Sequence, residues 1–519
     1  MTLSSSASAL AHKVKSVIAR LTVVFALICA GFAIAVIPGK VSFESPPDEG
    51  SLQVKKTIDL RVMSFNIEWG GALISFDSVV EAIRLVNADI VGIQEAEGNL
   101  ARLAGELGWH YNLRNYVISK YPLVEPPDSD GRYVYVEVSP GKIVALANVH
   151  LPSDPYGPDV LRDGGTLEEA IEVERRVRLP KMLPYLEVLP ALVSSGIPVF
   201  ITGDFNAPSH ADWTDDVVGS RPVLNYAVNW PVSIAIETAG FKDSWRTAHP
   251  DARKNPGLTW WAARPPLKDY TPTEEDAPDR IDFLWFAGPV TLKSSDLVGE
   301  KNGPEVSFSV DPWPSDHRAV ISSFTVSPVT MPPLVAVEHR VNRRGDHLQL
   351  KYHTNDLSTL QLLQVTDAVT VKVAERNVSG TGSAEFSSDK LETGHYYAVL
   401  ISPAHKPLKT EFWVQERDER PSIIAREIKL KVGQAINVDW SGGPGNRNDY
   451  IAAYKHDVIT GYDNGLAWVY TKAKPEGHAV IDESTSEWGW PLQPGKYVVR
   501  LIKDDGYEAL AESEMFVVE

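Results

Sequence analysis

Ile90-Val91-Gly92-Ile93-Gln94-Glu95 is a short apolar run that ends on a carboxylate. It reads as a strand whose last side chain reaches the rim of a sheet. Four further places repeat the design. Met63-Ser64-Phe65-Asn66-Ile67 comes before it, and Ala147-Asn148-Val149-His150-Leu151 after it. Thr202-Gly203-Asp204-Phe205-Asn206 follows, and then Arg280-Ile281-Asp282-Phe283 with Ser315-Asp316-His317-Arg318. Each segment sets an amide, a carboxylate or an imidazole beside an apolar strand. Taken singly they are commonplace: Gly-Asp-Phe-Asn makes a good turn, and a lone histidine often only completes a core. Five of them in one order read as one site.

The text between these segments decides the fold class. Leu60–Ile67, Asp89–Gln94, Ile143–Val149, Pro198–Thr202, Arg280–Trp285 and Ala319–Val326 read as strands. Asp77–Val86 reads as a helix with Asp77 as its cap. Thr166-Leu167-Glu168-Glu169 is a T-x-x-E capping box that starts a long helical stretch, which Pro180, Pro184 and Pro190 must kink or divide. Alternating strands and helices to about residue 328 predict a layered α/β domain with its chemistry at the strand ends.

The chemistry such residues suit is phosphoester hydrolysis. Mg²⁺ takes oxygen ligands, keeps several waters and needs only one or two protein carboxylates. A displacement at phosphorus also needs a base for the attacking water and donors for the developing charge. In their order and residue types, the five segments resemble the motifs of the endonuclease/exonuclease/phosphatase superfamily, over roughly residues 57–328. The resemblance implies an α/β four-layer sandwich of the DNase I-like kind. It implies Glu95 as principal metal ligand, helped by Asn66 and Asp316, with Mg²⁺ as the expected ion and Mn²⁺ or Ca²⁺ as alternatives. It further implies that Asp204 orients or deprotonates water, that Asn206 binds the scissile phosphate, and that His317 contacts the phosphate with Asp282 behind it. His150 matches a second histidine of the branches that resemble pancreatic deoxyribonuclease and neutral sphingomyelinase. The tyrosine of the apurinic-endonuclease branch has no match here.

After Pro328 the sequence changes to β-branched runs and Gly/Asn/Asp turns. Leu391–Leu400 resembles Leu492–Leu501, and the glycines of the two copies, Gly394 and Gly495, lie 101 residues apart. That period is one immunoglobulin-like sandwich, so residues 330–417 and 418–519 are expected to form two all-β immunoglobulin-like sandwiches. Asn448-Asp449-Tyr450-Ile451-Ala452-Ala453-Tyr454 resembles a pattern of β-modules appended to secreted hydrolases. Since all eight candidate residues lie between Asn66 and His317, these modules are expected to be accessory, with contact to a cell surface or polymer as one role.

The remaining features bound the setting. Lys13, Lys15 and Arg20 precede the uncharged run Leu21–Ile37, and Ala33-Ile34-Ala35 offers a cleavage site. The 17-residue run would extend roughly 26 Å as a helix, short but tolerable for a tilted anchor. Residues 1–40 are therefore expected to be a signal peptide or a signal anchor, 41–56 a linker, and the rest exported, with membrane contact through the segment if it stays uncleaved. Cys29 is the sole cysteine, which excludes disulfide staples and cysteine chemistry beyond it. A net charge of −18 works against general nucleic-acid binding without excluding a local basic groove. The expected function is an exported phosphodiesterase, nuclease-like, with nucleic acid as one candidate substrate. A sphingomyelinase, a phosphomonoesterase or a non-catalytic binding protein are the alternatives. Trp213, Trp230, Trp260, Trp261 and Trp313 fall near the site loops and are read as core and rim packing more than as stacking platforms.

Overall fold

The computed structural model describes residues 57–267, 278–366, 369–461, 464–486 and 489–519. The expected leader and linker, residues 1–56, lie outside the described residues. Among the described residues no helix is long and apolar enough to cross a membrane.

Six strands carry the site: β1 (Ile58–Asn66), β2 (Ile90–Gln94), β3 (Lys142–His150), β4 (Val199–Asp204), β5 (Asp282–Ala287) and β6 (Ala319–Val326). In the first sheet the order is Val306–Ser309, Val290–Gly299, β6, β1, β2, Val117–Ser119, His110–Asn112. In the second it is Leu123–Val124, Val134–Ser139, β3, β4, β5, Lys242–Asp243, with Val329–Thr330 paired to the start of β3.

Alternation along β1 shows how the layers arise. Leu60 and Val62 turn inward to meet Val144, Leu146, Phe200 and Phe324 between the two sheets. Met63 and Phe65 turn outward, under helices α1 (Phe76–Leu85) and α2 (Leu100–Leu107), against Val79, Ile83, Leu100 and Leu103. On the far side α3 (Leu167–Val177), α4 (Leu179–Ser194) and α5 (Pro231–Thr238) follow. Met182, Tyr185, Val232 and Ile236 of α4 and α5 cover Ala147, Ile201 and Phe283 of the second sheet. The stack is helix, sheet, sheet, helix: a four-layer α/β sandwich of the DNase I-like kind.

Local signals hold with two adjustments. Thr166 and Glu169 make both bonds of the capping box that opens α3. The cap of α1 is Ser75, whose Oγ accepts the Ser78 N–H at 3.2 Å, so Asp77 sits inside the first turn instead. Pro180 stands in the first turn of α4, where no N–H is required, and divides it from α3. Pro184 and Pro190 do not break α4, because its Met182, Tyr185 and Leu189 are pinned against the second sheet.

The rest of the chain is almost wholly β. In the first module the hairpin His347–Val365 with Thr370–Ser387 shifts register between Thr354 and Ser358. Its near half pairs with Leu334–Val337 and its far half with Gly394–Ser402, and both halves enclose Val335, Leu350, Leu360, Leu362 and Phe412. The second module packs a three-stranded sheet on a six-stranded one around Val438, Trp440, Ile451, Val499 and Phe516. The sequence repeat recurs in three dimensions. Tyr396 donates its hydroxyl to Glu392 O and Tyr497 to Gln493 O, each at 2.6 Å, which is the tyrosine corner of immunoglobulin-like sandwiches. Met331, Leu334 and Ala336 join the core under the second sheet, so the first module shares apolar surface with the α/β domain.

Candidate active site

Strand direction gathers the site. β1 runs parallel to β2, and β3 parallel to β4, so Asn66, Glu95, His150 and Asp204 all stand at carboxyl ends. β5 is antiparallel to β4 and β6 to β1, so Asp282 and the Asp316-His317 pair stand at amino ends on the same rim. Across the second sheet His150, Asp204 and Asp282 occupy one register row.

Below this rim lies a polar floor between the sheets. Gln94 Nε2 donates to Asn148 Oδ1 at 2.6 Å, Thr202 Oγ1 donates to the same oxygen at 3.0 Å, and Asn148 Nδ2 donates to Ile93 O at 2.7 Å. A Cβ on Gly92 would come within 2.0 Å of Thr202 Oγ1 and 2.5 Å of Asn148 Oδ1, so only glycine admits this approach. The network fixes the spacing of the two sheets where the site opens.

All eight residues picked from sequence converge here. Asn66 Nδ2 donates to Glu95 Oε1 at 2.9 Å and to Asp204 Oδ2 at 3.0 Å. His150 Nε2 and His317 Nε2 each lie 3.7 Å from Asp204 Oδ2. His317 Nδ1 bonds Asp282 Oδ2 at 2.9 Å, and the other Asp282 oxygen has no hydrogen-bond partner among the described residues. Asn206, at φ 47°, donates its N–H to Asp204 Oδ1 at 2.9 Å and its amide to Leu151 O at 3.0 Å. Asp316 is tied in through its N–H, which donates to Glu68 Oε2 at 3.1 Å, and through Trp260 Nε1 at 3.4 Å.

The charges are out of balance. Five buried or half-buried carboxylates (Glu68, Glu95, Asp204, Asp282, Asp316) face Arg264, His150 and His317. Burial pushes Asp204 up to about 6 against the pull of His317. Burial and then the Asp316 charge push Glu68 up to about 7, although Arg264 is paired to it at 2.6 Å. Burial raises Asp316 as well, with Glu95 adding repulsion against the pull of His317. Glu95 is the exception: His150, His317, Asn66 and the Trp69 N–H outweigh its burial and hold it below the usual range. For His317, burial favours the neutral ring, yet Asp282, Asp204 and Asp316 together hold the imidazolium. Two groups of ligand atoms lie within 4.8 Å of one another, Glu95–His150–Asp204 and Asp204–Asp282–His317. An oxygen-rich, over-negative set of this kind suits a divalent cation; of the expected ligands Glu95 and Asp316 would offer it carboxylate oxygens, whereas Asn66 turns its Nδ2 to Glu95 and Asp204 and its Oδ1 to the Glu68 N–H.

Several partners escaped the sequence reading. Glu68 and Trp69 follow Asn66 by two and three residues, and Glu68 is the hub that ties Asp316 to Arg264. Their adjacency to a motif residue was a usable signal; Arg264 carried none. Trp213, Trp230 and Trp313 are core residues, whereas Trp260 and Trp261 are half-buried, and Trp260 reaches Asp316.

A four-layer sandwich with these groups on one rim defines a phosphoester hydrolase. Residues 63–317 match the model of the Endonuclease/Exonuclease/phosphatase family, and the α/β domain belongs to that family. A Caenorhabditis elegans protein, F14F9.5, is 28% identical over 293 residues, 51% of this chain and 91% of the relative. Zebrafish TDP2, solved with a single-strand DNA product, is 14% identical at a TM-score of 0.31, covering 51% of this chain and 98% of its own. The Bacteroides thetaiotaomicron mannosyl-6-phosphatase Bt3783 is 16% identical at a TM-score of 0.31, covering 51% and 99%.

Proposed function

We propose that this chain is an exported, Mg²⁺-dependent hydrolase of phosphodiesters. The observation that carries the reading is the register row His150–Asp204–Asp282 with His317 bonded behind it and Glu95 held ionised beside it. When bound, the cation supplies positive charge to the phosphate oxygens and acidifies water. The chain's own groups do the rest. Asp204, oriented by the Asn206 N–H, takes up the proton of the attacking water. His317, held in one orientation by Asp282, presents Nε2–H to a phosphate oxygen and neutralises charge as it develops. His150, a third exposed, stands where it can donate to the leaving oxygen. Asn206, whose amide donates one N–H to Leu151 O, keeps the second for the scissile phosphate. Export rests on the basic-then-apolar segment before residue 40.

Hydrolysis of bis-p-nitrophenyl phosphate by the purified chain should require Mg²⁺ or Mn²⁺ and be abolished by EDTA. Failure to hydrolyse it, or plasmid DNA, RNA, sphingomyelin and inositol phosphates, at any divalent ion concentration would refute the enzyme. A reporter that works only in the cytoplasm, fused after Glu519, should stay silent; a bright reporter would refute export.

A further inference from the structure

The second β-module reaches back to the cleft. Its turn 503–507 lies against 95–98, the segment that begins with Glu95. Asp504 Oδ2 accepts the Gly98 N–H at 2.6 Å, and its other oxygen takes the Tyr116 hydroxyl. The Asp504 N–H donates to Asp449 Oδ1 at 3.1 Å, and Asp449 also takes both the N–H and the amide of Asn446. Next to them Arg447 donates to Asn148 O at 3.1 Å and to the Tyr185 hydroxyl at 2.5 Å, with its guanidinium 5.8 Å from the Tyr116 ring centre. Asn148 is the same residue that spaces the two sheets under the site. Gly98 has φ +81°, a left-handed backbone that favours glycine, and the flexible end of Lys503 lies over it. Asp449 and Asp504 are each 1% exposed. Buried charges bonded this completely fix one seating of the module, since any other would leave them unpaired.

That seating puts a wall on the cleft. The Tyr507 ring meets Trp69 edge-on at 5.9 Å, and the Trp69 N–H is bonded to Glu95 Oε2 at 3.0 Å. Asp505 is exposed, takes the Tyr470 hydroxyl on Oδ1 at 2.9 Å, and lies within electrostatic reach of His150 and Glu95.

We propose that the second β-module completes the active site, with Asp505 and Tyr507 as specificity-determining residues that admit a phosphodiester bearing uncharged aromatic or apolar groups and reject a polyanionic strand. The inference rests on the phosphodiesterase reading above and narrows its substrate. Flanking phosphates of a strand would meet Asp505, in a chain of net charge −18. An uncharged ring would instead find Trp69 and Tyr507.

The test compares wild type, Asp505→Lys and Tyr507→Ala in the full chain. It measures kcat/KM on bis-p-nitrophenyl phosphate and on a four-residue oligothymidylate, and the binding of fluorescein-labelled oligothymidylate by anisotropy. Asp505→Lys should shift the ratio of the two kcat/KM values towards the oligonucleotide by roughly tenfold. Tyr507→Ala should shift it the same way by lowering the small-substrate value, again by roughly tenfold. Ratios within about twofold of wild type for both variants, in chains that melt normally, would overturn the wall. If wild type cleaves neither substrate, the phosphodiesterase reading fails and anisotropy decides the wall alone. Tighter oligonucleotide binding by Asp505→Lys then supports it, and equal binding overturns it.

Discussion

Glu95 shows most directly how position sets chemistry. It stands one residue beyond β2 at φ 53°, and two imidazoles, an amide and a main-chain N–H hold it ionised among carboxylates that burial pushes the other way. Glu95→Gln keeps the shape and removes the charge that balances a cation. Turnover should fall by on the order of 100-fold or more, with weaker Mg²⁺ binding by calorimetry and unchanged circular dichroism. Full activity at saturating Mg²⁺ would remove Glu95 from the metal set. His317 and Asp282 form a unit, since Asp282 reaches the cleft only through the ring it orients. His317→Ala should cost about 100-fold or more, Asp282→Asn about tenfold, and the double variant scarcely more than His317→Ala. Strictly additive losses would show two independent groups. The residues were legible in the sequence because each sits next to an apolar strand that advertises it. Glu68 was less so, although only Ile67 separates it from Asn66. Its importance lies in what folds back onto it, the Asp316 N–H and Arg264, and those partners are 248 and 196 residues away.

Elements were read from periodicity, and periodicity conveys type better than ends. The strands were placed to within a residue or two. The cap of α1 went to Ser75 because its side chain accepts the Ser78 N–H, an outcome that a sequence with two capping residues on either side of Phe76 leaves open. The junction of α3 and α4 has a functional consequence that no pattern displayed. Arg178, fully buried, pairs with Glu174 at 2.8 Å and donates to Pro155 O and Ser153 O, the loop that follows His150. Burial pushes Glu174 up to about 7 even with that partner. Arg178→Met would leave Glu174 buried without its cation and release the loop. It should cost about 3–5 kcal/mol by urea unfolding. A loss under about 1 kcal/mol would mean the pair is not a clamp. In the first module Glu411 lies beside His395 and Arg340, which hold it down to about 2 against burial. A carboxylate lowered on folding stabilises above its unfolded value of 4.5, and that stability is lost as pH falls towards about 2. Glu411→Gln should therefore flatten the melting temperature between those two values and leave the alkaline side alone. An unchanged acid slope would assign it to other groups.

At the scale of the whole molecule, the sequence suggests that catalysis ends at residue 317 and that the rest is accessory. The repeat at 101 residues was visible because both copies keep a tyrosine corner. The seating of the second copy on Gly98 and Asn148 was not visible, because it joins positions more than 290 residues apart through a turn that carries no motif. A truncation series separates the two roles of the later sequence. A chain ending at Pro328 loses Met331, Leu334 and Ala336 from the core under the second sheet, together with the bonds of Arg447 and Asp504. At roughly 1.5–3 kcal/mol for each of Met331 and Leu334, the lost apolar contacts alone should cost on the order of 5 kcal/mol. A chain ending at residue 417 keeps the apolar seal but lacks the 503–507 turn. It should recover much of that stability and still show the substrate ratio of Asp505→Lys. Packing and selectivity would then map to different modules. If the shorter chain melts with the full one and discriminates substrates equally, the α/β domain is self-sufficient and the later sequence is accessory, as its distance from the motifs first suggests.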